Sequence, residues 1–121
     1  MARVLIPVVA LDRAMATNKK VGASGTEVAG HATDFNYFVA GDKTFLIARN
    51  NGVVQRTFTV LVAKTVDSNT ITASTKTLEA TTTAGDSCIV GPFPSDIYTQ
   101  ADGWVYINPS HADVKFQAFT L

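Results

Sequence analysis

Over residues 35–121 apolar and polar side chains alternate with a period of two, and this constrains the fold more than any other feature of the chain. In Phe58-Thr59-Val60-Leu61-Val62, Phe58, Val60 and Val62 fall on one side, and Thr57, Thr59 and Leu61 on the other. Successive side chains of an extended strand point to opposite faces, so this pattern builds a strand with one face buried. Residues 70–78 are richer still in threonine, whose branched Cβ favours extended backbone and whose hydroxyl tolerates solvent. Further strands are expected over 43–48, 86–90, 104–108 and 114–121. The breaks between them carry turn chemistry: Asn50-Asn51-Gly52, Asp67-Ser68-Asn69, Ala84-Gly85-Asp86, Asp102-Gly103 and Asn108-Pro109-Ser110. Short strands at a spacing of roughly 8–12 residues suggest a sandwich or barrel. The expectation is an all-β, antiparallel, jelly-roll-like β-sandwich over 35–121. A short helical turn over 9–15 is the one helical feature in prospect.

Residues 1–34 differ. Pro7 interrupts the apolar run Val4-Leu5-Ile6-Pro7-Val8-Val9-Ala10-Leu11, and Gly22-Ala23-Ser24-Gly25 and Gly30 follow with few large apolar groups between them. This reads as an extended N-terminal arm and linker preceding the sandwich domain. Val4, Leu5, Ile6, Val8 and Val9 are too apolar to lie in water. They either fold back as an edge strand or dock on a neighbouring molecule. The run also imitates a signal peptide, with Arg3 before it and Ala14-Met15-Ala16 after it. Asp12 and Arg13 place charge between the run and that site, so the segment is expected to stay in the mature protein.

A chain of 121 residues suits one domain, and 46% hydrophobic residues suit a folded one. The 10 basic and 10 acidic side chains cancel. A general nucleic-acid binder needs a clustered basic excess to displace counterions, so that class is disfavoured. Zero net charge gives little self-repulsion and suits a protein that lives in an assembly. Cys88 is the sole cysteine, so no intrachain disulfide forms, and its neighbours Ile89 and Val90 mark it as a small buried hydrophobe. No apolar run reaches the length of a membrane-spanning helix.

Catalysis needs convergent polar groups, and few are in prospect. His31 lies near Asp34 and His111 near Asp113, in loops where such pairs are ordinary, and neither pair supplies enough ligands for a metal. Glu27 and Glu79 are the only glutamates. No nucleophile elbow, phosphate-binding loop or dinucleotide fingerprint occurs. The expectation is a non-enzyme that needs no metal or cofactor. Arg49 and Arg56 bracket the 50–54 turn, where they would solvate a hairpin end or, less in keeping with so exposed a place, hold an anion. Phe93 stands between Pro92 and Pro94, neither of which can donate a ladder hydrogen bond, so it sits on a corner. It either caps the core or projects into a partner, with Tyr98 close behind.

The order of these features resembles small β-rich structural proteins of tailed bacteriophages. The residues that carry the likeness are Gly41-Asp42-Lys43-Thr44-Phe45-Leu46, the Asn50-Asn51-Gly52 turn, Thr57-Phe58-Thr59-Val60, and the corner Ile89-Val90-Gly91-Pro92-Phe93-Pro94 with Tyr98 after it. Asp102-Gly103-Trp104-Val105 and the closing apolar strand follow in order. The corner carries one more residue between Ile89 and Gly91 than the pattern, and the arm and residues 70–83 fit it least. The resemblance covers residues 35–121. It implies a virion protein on the capsid exterior, made in the host cytoplasm. That protein would be a decoration or cement protein, a homotrimer binding across major capsid protein subunits, with no nucleic-acid or membrane partner. The competing expectation is a carbohydrate- or receptor-binding module of a head or tail fibre, using Tyr98, Asp102 and Trp104, although Trp104 in an alternating strand reads as core.

Overall fold

Every second residue of the longest strands is buried, and the buried sets face one another across two sheets. The structure is a computed structural model that describes residues 2–11, 19–22, 25–63, 65–66, 69–70 and 73–121. In chain order its strands are β1 (Val4–Leu5), β2 (Val8–Ala10), β3 (Val28–Ala29), β4 (Asn36–Val39), β5 (Thr44–Asn50) and β6 (Arg56–Val60). Then come β7 (Thr65–Val66), β8 (Asn69–Thr70), β9 (Ser74–Leu78), β10 (Ser87–Val90), the one-turn helix α1 (Ser95–Tyr98), β11 (Trp104–Pro109) and β12 (Val114–Thr120). One sheet has the order β1-β4-β11-β6-β9, and the second the order β10-β5-β12-β2, with β3 also on β12. β7 and β8 form a small hairpin of their own. The all-β sandwich expected from the alternation is the fold. Its strand order establishes a sandwich without singling out the jelly-roll connectivity.

Phe38, Phe58, Leu78, Val105 and Ile107 from the first sheet meet Leu46, Ala48, Val114, Phe116 and Ala118 from the second, and all are fully buried. The Phe58 and Phe116 rings cross edge to face at 5.6 Å and tie the sheets at the centre. Among the long strands, β5 pairs with β12 over its whole length, from Val114↔Asn50 to Thr120↔Thr44.

Several expectations are corrected. The sheets are mixed rather than antiparallel, because β1 runs parallel to β4 and β2 parallel to β12. Of the two alternatives for the apolar run of the expected arm, the structure has the edge strand: β1 extends one sheet, β2 and β3 extend the other, and Ile6, between β1 and β2, is fully buried. The physical reason is the apolar run itself: Ile6-Pro7 carries the chain from the first sheet to the second, and Ile6 is buried on the way. Gly30, read as linker, is buried, and a Cβ there would lie 2.8 Å from the Val114 carbonyl oxygen. The glycine is needed for close approach rather than for flexibility. The 50–54 segment is not a hairpin, since β5 and β6 lie in different sheets. The strand expected over 70–78 is described from Ser74, and Ile71 and Thr72 lie outside the described residues. The same holds for Asp67 and Ser68 of one expected turn, for Ala23 and Ser24, and for the cleavage-like Ala14-Met15-Ala16 with Asp12 and Arg13. Of the expected helical turn over 9–15, Val9 and Ala10 are in β2 and residues 12–15 are outside the description.

Candidate interaction surface

The face of the first sheet that points away from the core is divided in two. On β6 and β9 it is threonine: Thr57 lies opposite Thr77, and Thr59 opposite Thr75, with the last two hydroxyls 2.8 Å apart. On β1, β4 and β11 it is aromatic and apolar. Leu5 pairs with Tyr37, Tyr37 with Tyr106, and Val39 with Trp104, and partners directly opposite in a ladder share a face. Val39 is 55% exposed and Leu5 45%. The Tyr37 and Trp104 rings stack with centroids 3.9 Å apart.

Arg3 organises the rim of this patch. Its guanidinium lies 3.8 Å from the centre of the Tyr106 ring and 5.4 Å from that of Phe35. It also donates to the Asn108 side-chain oxygen at 2.8 Å and to the Asn36 carbonyl at 3.1 Å. Burial pulls its pKa below the ordinary value, against the opposing pull of Tyr106 and Asp102. The Tyr106 hydroxyl donates to Asp102, whose other oxygen accepts from the Trp104 backbone N–H at 3.0 Å. That hydrogen bond, with some desolvation and the Asp102 charge, raises the Tyr106 pKa while Arg3 opposes it. The patch is therefore held in shape by charge-assisted contacts at its edge.

Trp104 is thus outside the core, contrary to expectation. β11 offers two apolar sets, and the aliphatic one, Val105 and Ile107, takes the interior. The signal was Asn108, which continues the Trp104 and Tyr106 set and marks that face as outward. Arg3 and Tyr37 went unread as site residues because their partners lie on strands far away in sequence.

The residues singled out beforehand separate. Val4, Val8 and Val9 are half-buried in edge strands, and Leu5 joins the patch. Ile6 is wholly interior, so in this fold it is not offered to a partner. Phe93, only 4% exposed, caps the core, with its ring 5.3 Å from Phe38 and 5.5 Å from Tyr98. The corner on which it sits has a cis Gly91-Pro92 bond and Gly91 at φ +119°, where a side chain would be strained and its Cβ would lie 3.0 Å from the Phe45 Cα. Tyr98 lines an open cleft of about 260 Å³ with Val60, Ser74, Lys76, Val90, Gly91, Pro92 and Phe93. It does not join Asp102 and Trp104.

Arg49 binds Glu27 with two hydrogen bonds of 2.9 and 2.6 Å, and that contact raises its pKa. Arg56 reaches Asp113 at 3.5 Å. Both arginines are thus spoken for by carboxylates rather than solvating a hairpin. His31 lies 3.8 Å from Asp34, and His111 3.3 Å from Asp113. Among the described residues no three His, Cys, Asp or Glu side chains converge in a manner that would hold a metal. Burial raises the Cys88 pKa, opposed by Lys76. No helix among the described residues is long and apolar enough to cross a membrane. Compared with known proteins, the chain matches no family model, no curated protein and no solved structure.

Proposed function

We propose that this chain is a virion structural protein that decorates the head of a tailed bacteriophage. It works as a homotrimer on the capsid exterior, bridging major capsid protein subunits. The observation that carries the reading is the outer face of the first sheet. Leu5, Tyr37, Val39 and Trp104 form an apolar and aromatic surface on a two-sheet scaffold, rimmed by Arg3 and Asp102. Aromatic residues with an arginine are the composition of energetic centres in protein interfaces. The ordered likeness over 35–121 supplies the phage setting, and symmetry supplies the trimer, since a threefold site on a shell recruits a threefold binder. The work done is binding free energy, summed over many copies against the pressure of packaged DNA.

The test uses heads of the encoding phage that lack this protein. Wild-type chain and Val39→Lys, an exposed change that leaves the core intact, are incubated with them and occupancy is measured. Occupancy reduced about tenfold for the variant, a change of about 1.4 kcal/mol, is the expected result. Equal occupancy, or recovery with tails alone, removes the reading. A second reading is favoured by one specific observation, Trp104 beside Asp102 on the outer face: a saccharide-binding module of a fibre. Glycan-array binding lost on Trp104→Ala would select it.

A further inference from the structure

The sandwich has two lateral sides, and they are finished differently. On one side a single segment closes the gap: β1 pairs with β4, Ile6 drops into the core, and β2 pairs with β12. On the other side lie β9 and β10, each hydrogen-bonded on one flank only among the described residues. The cleft lined by Val60, Val90, Phe93 and Tyr98 opens between them.

The ladder pattern says which backbone groups are free there. Leu61 N–H donates to the Tyr106 carbonyl, and Ser110 N–H to the Thr57 carbonyl, so alternate residues of β6 face β11 and the others face β9. With the β6–β9 register, Ser74, Lys76 and Leu78 bond inward, and Thr75 and Thr77 present N–H and C=O to the open side. Likewise Asn50 N–H donates to the Asp86 carbonyl, so Cys88 and Val90 bond to β5, and Ser87 and Ile89 face outward. Ile89 is 63% exposed.

Lys76 sets the selectivity. It occupies a core-facing position of β9, opposite the fully buried Phe58, and its side chain is exposed where it lines the open cleft. No carboxylate lines that cleft, and no described residue forms an ion pair with Lys76. A lysine at such a position of an edge strand blocks indiscriminate strand pairing. It admits a segment that brings a negative charge.

We propose that the β9/β10 side is a strand-addition site for an extended segment of a partner protein, carrying a carboxylate against Lys76 and an adjacent apolar side chain into the cleft. The segment does there what β1-Ile6-β2 does on the opposite side. The site is separate from the outer-face patch and stands without the head-decoration reading.

The experiment selects binders to the full chain from a displayed library of random peptides about 10 residues long, near the upper end of strand lengths. Amide exchange then maps each binder. The expected binders alternate apolar and polar residues, carry Asp or Glu, and protect Thr75, Thr77, Ser87 or Ile89. Thr77→Pro removes an outward N–H without breaking a native ladder bond, since proline is tolerated where the N–H faces solvent. It should keep the native amide spectrum and lose binding, and Lys76→Glu should exchange the acidic preference for a basic one. Val39→Lys should bind the same peptides as wild type. Binders that map elsewhere, that survive Thr77→Pro in a folded chain, or that ignore Lys76→Glu overturn the proposal. So does a selection that yields none, which would leave Lys76 as a guard and nothing more.

Discussion

Three buried side-chain amides each tie a loop to a sheet. Asn50 donates to the carbonyls of Val54 (2.7 Å) and Glu79 (3.0 Å) and accepts from Gly52 N–H. Asn36 accepts from His31 N–H at 2.8 Å. Gln117 accepts from Gly22 N–H and donates to the Lys20 carbonyl. Replacing Asn50 by Ala strands several backbone groups, and each buried group left unpaired costs about 1–3 kcal/mol. Denaturant unfolding should show a loss of at least that size. A second prediction concerns Tyr106. Its pKa is raised by the bond to Asp102, so the folded chain holds the phenol proton more tightly than the unfolded chain does. The contribution is fully present below the ordinary tyrosine value, about 10, and is lost as pH rises through the raised one. In an NMR titration Asp102→Asn should lower the Tyr106 midpoint, and an unmoved midpoint would show that another group sets it. None of these partnerships was legible beforehand. Some join residues far apart in the chain, as Gln117 does with Lys20 and Gly22; others are local, as Tyr106 with Asp102, but a lone Asn in an alternating strand does not say which loop it will hold.

At the scale of elements, alternation located the strands and glycine content misled. β5, β6, β10, β11 and β12 lie within a few residues of where the pattern put them, because a half-buried strand writes its period into the sequence. β1, β2 and β3 were harder to read, since strands of two or three residues carry no period at all. What identifies β1 and β2 is Ile6 between them, and its burial is a fact of packing. Ile6→Ala should therefore destabilise by about 2–5 kcal/mol, the usual cost of emptying a fully buried aliphatic site. The thermal midpoint measures it. A loss under 1 kcal/mol, about the cost of a tolerant surface change, would mean the segment lies loosely on its edges. Deleting residues 1–11 should likewise weaken the sandwich itself, whereas an independent arm would leave its stability untouched.

For the molecule as a whole, the aromatic patch was half legible. Tyr106 and Trp104 sit in one alternating set, but Tyr37 joins them only through the β4–β11 register and Arg3 only through β1. A surface assembled from three strands is a property of topology, which alternation does not encode. Cys88 belongs to this scale too, for it packs against the core between the sheets. With its pKa raised by burial, it should resist alkylation at neutral pH in the folded chain and react readily in denaturant. Equal rates in both states would place it outside the core.

The strand order has one more consequence. β11 is inserted between β4 and β6, and β12 between β5 and β2, although both come last in the chain. A protease cut in the exposed stretch Thr82-Thr83-Ala84-Gly85 would thus produce two pieces that each own strands of both sheets. The larger piece alone would lack an interior strand of each sheet, and the smaller would be strands without neighbours. Co-expressed as separate chains, residues 1–84 and 85–121 should find each other and elute as one species, two halves of a split protein that neither half can imitate.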